Sequence, residues 1–151
     1  MFLQEADLFK GLSQEVINAI GAIGTEKSYE KGDFPFKVDD PADYFYILME
    51  GRVRLSVGEE GHITYTLDHP GEAFGWSSLV DRTSYTGSVE CLEPTKLIKL
   101  QKEKLIKIFE KDPSSGLIFF KRLAGLIAQR LINSYDMLLS AQRGEGPPSY
   151  G

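Results

Sequence analysis

Apolar and polar positions along this chain follow two periods, and the changes between them divide it into three parts. In the first part, residues 7–23, the apolar positions Val16, Ile17 and Ile20 have the spacing of one helix face. Ser13 precedes them and is a candidate N-cap. The pattern predicts a short helical segment near the N-terminus.

From about residue 27 to residue 100, apolar side chains alternate with polar ones, as they do in strands that bury one face. Glycines recur between the alternating segments, and 58–62 is rich in turn residues. The alternations lie at 34–38, 53–57, 63–67, 88–92 and 96–100. Several short strands at close spacing predict a jelly-roll-like β-roll, a double-stranded β-helix. The predicted fold class is mainly β with flanking helices.

After Leu100 the period of a helix returns. Residues 102–110 predict a short helix, and Asp112-Pro113 is expected to break it. Residues 114–142 then form the longest helical pattern of the chain. The third part is therefore a short helix followed by a long C-terminal one.

Two neighbouring rows of the long helix are largely apolar, which is more apolar surface than one small roll can cover. One row has the alternating steps of a coiled-coil seam and comprises Phe120, Ala124, Ile127, Leu131, Ser134 and Leu138. The other row comprises Phe119, Leu123, Leu126 and Met137. We expect one row to pack on the roll and the other on a second copy, which makes this a dimerisation helix. The alternative is a helix folded wholly onto its own domain.

Composition and charge limit the functions that remain. The 151 residues are 42% hydrophobic and 26% charged, which suits one globular domain, and the net charge is −5 with scattered basic residues. Direct binding to nucleic acid is therefore not expected. Because no signal peptide or membrane-length apolar run occurs, we predict a cytoplasmic protein without membrane contact. One sensor domain at 1–142 and a flexible tail at 143–151 are expected.

Few residues are suited to catalysis or to metal binding. The two histidines, His62 and His69, lie at turns, and their spacing does not suit one metal ion. The lone Cys91 lies in an apolar stretch, where a buried small side chain is expected rather than a reactive thiol. No Gly-x-Ser-x-Gly nucleophile motif occurs. A non-enzymatic protein without a metal is predicted.

Five segments carry a family likeness: LFKGLSQEVINAI, YEKGD, DYFYILMEGRVRLSV, HPGEAFGWSSLV and SVECLEPTKLIKL. In this order they resemble the cyclic-nucleotide-binding domain of catabolite-activator-type, Crp/Fnr-like regulators. Four glycines stand at the family's positions, where tight corners need positive φ or close backbone approach: Gly32, Gly51, Gly71 and Gly75. The resemblance implies the roll fold, a ligand inside the roll and a regulatory role.

The resemblance also implies where a ligand would be held. In the family, a Phe-Gly-Glu motif supplies a Glu that accepts the ribose hydroxyl, and a later Arg neutralises the cyclic phosphate. An ungapped register from Gly75 to Val89 places Trp76 at the Glu position and Tyr85 at the Arg position. Each missing charge-assisted contact is worth roughly two orders of magnitude in affinity, so ordinary cyclic AMP binding is not expected.

The same stretch still offers a niche rich in hydroxyl groups. The candidate pocket comprises Gly75, Trp76, Ser77, Ser78, Arg82, Tyr85 and Thr86. Arg82 either turns into this pocket or, as is commoner for a loop arginine, lies in solvent beside Asp81. Trp76 either fills the core or forms an aromatic wall against a flat ligand.

Two hypotheses follow. The first is a sensor of a nucleotide-like or other small anionic effector. The second is a structural or protein-interaction module with a filled pocket. Regulators of the resembled type continue past the dimer helix into a helix-turn-helix domain, whereas this chain stops at Gly151. We therefore expect either a stand-alone sensor or a cut chain, acting through a partner protein or its own dimer.

Overall fold

The computed structural model describes residues 6–58 and 63–142, which form a two-sheet β-roll between an N-terminal and a C-terminal helical part. The predicted fold class is confirmed. The predicted tail at 143–151 and His62 lie outside the described residues. Within the described residues, no helix is both long enough and apolar enough to cross a bilayer.

The N-terminal part consists of a 3₁₀ turn at Asp7–Phe9 and helix α1 at Gln14–Ile23. The Ser13 Oγ accepts a hydrogen bond from the Val16 backbone N–H at 3.2 Å, which is the N-cap predicted from the sequence. The predicted apolar row of α1 is buried in a cluster shared with the roll and both C-terminal helices. Burial of that row holds the helix against the outside of the roll.

The roll consists of two antiparallel sheets. Its strands are β1 (Thr25–Tyr29), β2 (Tyr44–Glu50), β3 (Val53–Val57), β4 (Ile63–Leu67), β5 (Ala73–Phe74), β6 (Ser88–Cys91) and β7 (Thr95–Gln101). One sheet has the order β1-β7-β2-β5 and the other has the order β4-β3-β6. Sequence alternation does not reveal β2, because four consecutive residues in its middle are buried.

Two of the crossings between the sheets form adjoining corners, and glycine is required at one of them. Gly51 joins β2 to β3 with φ +104°, and a Cβ there would lie 2.7 Å from the Pro94 carbonyl oxygen. Pro94 belongs to the second crossing, from β6 to β7. All four glycines of the predicted family pattern adopt positive φ, as expected.

The strand predicted at 34–38 is wrong. Only Phe36 pairs, through an isolated bridge to Val89, and the apolar residues two positions away on either side are exposed. The Val38 backbone N–H donates to the Ser88 Oγ at 2.9 Å. A side-chain acceptor thus takes the place of a neighbouring strand, which the alternation of apolar residues could not indicate.

Two helices complete the fold. Helix α2 (Lys102–Lys111) ends at Asp112, and helix α3 (Pro113–Gln142) begins directly after it. The Asp112 Oδ1 accepts a hydrogen bond from the Ser115 backbone N–H at 3.1 Å, so this residue ends one helix and caps the next. The predicted break at Asp112-Pro113 is confirmed.

The two predicted rows of α3 differ in their surroundings. Phe119, Leu123 and Met137 of the second row are buried, and Leu126 packs against the same core. The candidate dimer row is split. Phe120 and Ile127 pack against the chain's own core, and Ser134 contacts β4, whereas Ala124, Leu131 and Leu138 are exposed. The candidate dimer row runs at a slight angle to the helix face that the roll covers, so only part of this row is exposed to solvent.

Candidate functional site

Tyr85 fills the middle of the roll. Its side chain is 3% exposed, and its ring stacks on Phe36 with centroids 3.6 Å apart. The Tyr85 hydroxyl donates to the Tyr44 carbonyl oxygen at 2.6 Å and accepts from the Tyr44 N–H at 3.1 Å. Burial raises the pKa of Tyr85 to about 12, so the phenol is neutral at physiological pH. The Tyr85 hydroxyl therefore already has its hydrogen-bond partners in the backbone of Tyr44.

Gly75 brings the next segment close to the same ring. It adopts φ +87° at the start of the 3₁₀ turn Trp76–Leu79. A Cβ on Gly75 would lie 3.1 Å from the Tyr44 carbonyl oxygen and 3.6 Å from the Tyr85 ring. The absence of a side chain at this position therefore lets the turn lie directly against β2 and Tyr85.

A cavity of about 70 Å³ remains between these groups and strands β3, β4 and β6. Small-molecule sites usually measure several hundred Å³. The structure brings five residues of the candidate pocket together around this space: Gly75, Trp76, Ser77, Tyr85 and Thr86. The remaining space suits a few water molecules and is too small for a nucleotide.

Two residues of the candidate pocket do not line the cavity. Ser78 is buried, and its Oγ donates to the Gly75 carbonyl oxygen at 2.7 Å within its own turn. Arg82 is exposed, so of the two alternatives considered for it, the solvated one is observed. Neither side chain contributes a polar group to the interior of the roll.

Trp76 lines the cavity and also contacts α3, through a residue that sequence reasoning missed. The Arg130 guanidinium carbon lies 5.3 Å from the centre of the Trp76 ring, and Arg130 Nη2 donates to the Ala73 carbonyl oxygen at 2.6 Å. Arg130 is 7% exposed. One signal for it existed in the sequence: Arg130 stands seven residues from both Leu123 and Met137, on the buried row of α3.

Burial acts strongly on Arg130. It lowers the pKa of the guanidinium to about 10, while the charges of Glu72 and Tyr65 act in the opposite direction. The group remains a cation at neutral pH. Its Nη1 is buried and has no hydrogen-bond partner among the described residues. An unpaired cation in a buried position is unusual and requires an explanation.

The Tyr65 side chain connects the cavity to the same helix. Tyr65 lies on β4 and lines the cavity, and its hydroxyl donates to the Arg130 carbonyl oxygen. The same hydroxyl is 2.5 Å from the Ser134 Oγ. The inner wall of the roll is thus linked to α3 by Tyr65 on one strand and by Trp76 in the 3₁₀ turn.

His69 and Cys91 were considered for metal binding and nucleophilic chemistry. The first lies in a turn and the second lies in the core. His69 is exposed in the β4–β5 turn, with Nδ1 2.7 Å from the Asp68 Oδ1. The nearby Glu72 Oε2 accepts hydrogen bonds from the Asp68 and His69 N–H groups, so it closes the turn. Cys91 is buried as predicted, and burial raises the pKa of its thiol, which disfavours the thiolate.

Comparison with known families and curated proteins gives consistent matches. The family described as "Cyclic nucleotide-binding domain" matches residues 26–112. The chain is 29% identical over 131 residues to the cyclic AMP receptor protein of Thermus thermophilus, covering 85% of this chain and 59% of that protein. It is 31% identical over 134 residues to glutaminase 1 of Bradyrhizobium diazoefficiens, covering 86% of this chain and 21% of that protein. The chain therefore spans only part of these curated relatives.

Solved structures agree with the fold. A putative cyclic nucleotide-binding protein from Geobacter metallireducens is 28% identical with a TM-score of 0.74, covering 85% of this chain and 95% of that one. The catabolite activator protein of Thermus thermophilus is 29% identical with a TM-score of 0.68, covering 90% of this chain and 62% of that one.

Proposed function

We propose, from the premise that this chain belongs to the cyclic nucleotide-binding domain family, that it is a non-enzymatic regulatory domain whose roll does not bind cyclic AMP in the family's usual manner. One observation carries the proposal. Tyr85 occupies the interior of the roll with both functions of its hydroxyl satisfied by Tyr44. A residue held in this way offers no charge to a phosphate and leaves no room for one.

Trp76 supports the same conclusion from the other side of the cavity. It stands where the family resemblance implies a ribose-binding Glu, and it packs between the cavity and Arg130. A nucleotide would have to displace two aromatic side chains and would gain no charge-assisted hydrogen bond from either position. The cost of displacing these two side chains and the missing charge-assisted hydrogen bonds both disfavour nucleotide binding.

Calorimetric titration with cyclic AMP and cyclic GMP tests this proposal. A ligand at a hundred times its Kd stabilises a protein by about 2.7 kcal/mol, so a parallel thermal unfolding series would detect binding. We expect neither a saturable heat nor a shift for the unaltered chain. The double variant Trp76→Glu/Tyr85→Arg restores the two family residues and is expected to bind more tightly. Saturable binding of either nucleotide inside the roll of the unaltered chain would contradict the proposal.

We further infer that the domain acts as a homodimer through α3. The outer face of this helix carries an exposed apolar stripe with steps of three, four and seven residues: Leu117, Ala124, Ala128, Leu131, Tyr135 and Leu138. Four of these, the leucines and Tyr135, are each at least 45% exposed. Such a stripe is typical of a seam that a second helix covers. It shares Ala124, Leu131 and Leu138 with the row predicted from the sequence, and its other members are neighbours on the exposed side.

Sedimentation equilibrium tests the dimer. We expect the unaltered chain to sediment as a dimer and Leu131→Glu/Leu138→Glu to sediment as a folded monomer, because two carboxylates cannot be buried in an apolar seam. Lys107→Glu on α2 adds a carboxylate away from the stripe and should leave the dimer intact. A monomeric unaltered chain, or an unaffected double variant, would contradict this assignment.

The absence of a catalytic role is part of the proposal. Of the residues considered for chemistry within the described part, Cys91 is buried as a thiol and His69 is exposed in a turn. The match to a glutaminase covers 21% of that protein, so its activity is not transferred to this chain. A regulatory domain of this kind would act in the cytoplasm through its dimer or a partner protein.

A second candidate function is a structural or protein-interaction module whose roll is permanently filled. The satisfied Tyr85 hydroxyl and the small cavity favour it. It differs from a sensor in one respect, since no small molecule would change the conformation or the interactions of such a module. A small-molecule site elsewhere on the domain would favour the sensor.

A further inference from the structure

A second and larger cleft lies outside the roll. It has a volume of about 620 Å³, which is within the range of small-molecule sites. Its walls are the segment that begins the N-terminal 3₁₀ turn, the β4–β5 turn and the inner edge of α3. On α3 the lining residues Arg122, Leu126 and Arg130 are four apart, so they form a line along one side of the helix.

Arg130 contributes to this cleft a positive charge that has no ion-pair partner among the described residues. It lines the cleft while being 93% buried, and its Nη1 has no partner among the described residues. The rest of the guanidinium is held by the Ala73 carbonyl oxygen and by the face of Trp76. One edge of the fork is therefore fixed in orientation, whereas Nη1 on the other edge is buried and lacks a partner, so a ligand must shift part of the cleft wall to reach it.

The acidic groups around the cleft already have other partners. The Asp7 carboxylate forms an ion pair with Lys10 at 2.9 Å. Glu72 accepts two backbone hydrogen bonds in its own turn, from Asp68 and His69. No described carboxylate forms an ion pair with Arg130, so its charge is not neutralised by direct contact within the described part of the chain.

We propose that this outer cleft is a binding site for a small organic carboxylate, which would pair with the buried and unpartnered edge of the Arg130 guanidinium. The carboxylate would accept hydrogen bonds from Nη1 in the plane of the fork. Arg122 also lines the cleft and adds a second positive charge, while its Nη1 donates to the Asp7 carbonyl oxygen at 3.2 Å. This site lies outside the roll, and its lining residues are distinct from those that line the roll cavity.

The remaining lining indicates which carboxylates fit best. Leu8, Pro70, Ala73 and Leu126 provide an apolar wall beside the charged groups. A compact ligand with one carboxylate and an apolar body would pair with Arg130 and cover this wall. Phosphate carries more charge, which the nearby Asp7 and Glu72 disfavour, and it has no apolar part. We therefore expect cyclohexanecarboxylate to bind more tightly than acetate, and inorganic phosphate to bind least.

The single tryptophan of the chain makes this measurable, because it lies against the proposed anion site. The experiment titrates the full chain with cyclohexanecarboxylate, acetate, succinate and phosphate at constant ionic strength. Trp76 fluorescence and the side-chain NMR resonances of Arg130 are followed together. A saturable change in both, strongest for cyclohexanecarboxylate, is the expected result.

Matched variants locate the site. Arg130→Met removes the charge and keeps an unbranched side chain, and it should weaken binding of cyclohexanecarboxylate at least tenfold. Arg130→Lys keeps the charge without the fork and should weaken binding less. Arg82→Met removes an exposed arginine that does not line the cleft and should change nothing. The NMR arm uses the unaltered chain, so it remains decisive even where a variant folds poorly.

Three outcomes would overturn the proposal. The first is the absence of saturable binding by any of the four probes. The second is binding that leaves the Arg130 resonances unchanged or survives Arg130→Met. The third is phosphate as the tightest ligand, which would reject the carboxylate assignment. None of these outcomes bears on cyclic AMP binding in the roll, which is measured separately by the calorimetric titration.

Discussion

The interior of the roll and the outer cleft differ in how their polar groups are satisfied. Inside the roll, Tyr85 is stacked and hydrogen-bonded at both functions of its hydroxyl, and about 70 Å³ remains open. In the outer cleft, about 620 Å³ is open and the Arg130 Nη1 has no described partner. The interior therefore has the character of a core, whereas the cleft combines open volume with a donor that has no partner. In this chain the cavity inside the roll and the buried donor without a partner lie in different places.

Trp76 joins these two regions. One side of it borders the cavity, and Arg130 lies over its ring. A change on either side would reach the other through this one side chain. Substitutions of the packed interior therefore have to be compared with substitutions of the cleft.

The largest effect is expected from Tyr85→Ala. It removes a buried ring stacked on Phe36 and should lower the free energy of unfolding by about 3–5 kcal/mol. Tyr85→Phe keeps the ring and removes only the hydroxyl bonded to Tyr44, so a loss of about 1–2 kcal/mol is expected. Urea unfolding measures both. Equal losses for the two variants would show that stacking contributes little.

Gly75→Ala tests how closely the 3₁₀ turn is packed against the interior. The positive φ and the 3.1 Å approach to the Tyr44 carbonyl oxygen predict a loss of about 1–3 kcal/mol. Gly125 on α3 is the matched control, because a Cβ there meets nothing within 4 Å. Gly125→Ala should gain about 0.5–1 kcal/mol from helix propensity. Calorimetric unfolding compares the two, and a stabilised Gly75→Ala would mean that the turn is loosely packed.

Alkaline pH should weaken the interior by a smaller amount. Folding raises the pKa of Tyr85 from 10.0 to about 12, so its contribution to stability is complete below pH 10 and is lost as pH rises through 12. Tyr85→Phe should therefore show a shallower fall in stability above pH 10 than the unaltered chain. Arg130, whose lowered pKa acts in the opposite sense, is common to both proteins. Parallel falls in urea unfolding would contradict the assignment.

The smallest effect on stability is expected from Arg130→Met. It removes a hydrogen bond to Ala73 and a contact with Trp76, but it also removes a buried charge without an ionic partner. We expect a net change within about 1 kcal/mol, because apolar replacement of buried charges is often neutral. A loss of several kcal/mol in urea unfolding would instead assign Arg130 to the structural core. The comparison between the two regions would then fail.

Much of the fold could be predicted because it depends on local periodicity. The alternation at 53–57 and 63–67 identified β3 and β4, Ser13 identified the start of α1, and Asp112-Pro113 identified the helix break. The strand predicted at 34–38 failed since its backbone pairs with a side chain. Strand β2 lacked the alternating signal because it is buried on both faces.

The candidate site could be predicted only in part. The five residues around the roll cavity lie within one short stretch of the chain, so a family register brought them together. Arg130 lies on a later helix, 57 residues after Ala73, and its role depends on contact with Trp76 and Ala73. Arg82 was a candidate for reasons of sequence proximity, yet its side chain lies in solvent.

By itself, the sequence determined the roll with its two helical parts and the four glycines that adopt positive φ. These depend on periodicity, backbone conformation and register, which neighbouring residues encode. Only the tertiary structure decided that Tyr85 closes the interior and that Arg130 faces a second cleft. Both results depend on which polar atoms find partners across long separations in the chain, and hydrogen-bond satisfaction at that distance is a property of the folded arrangement.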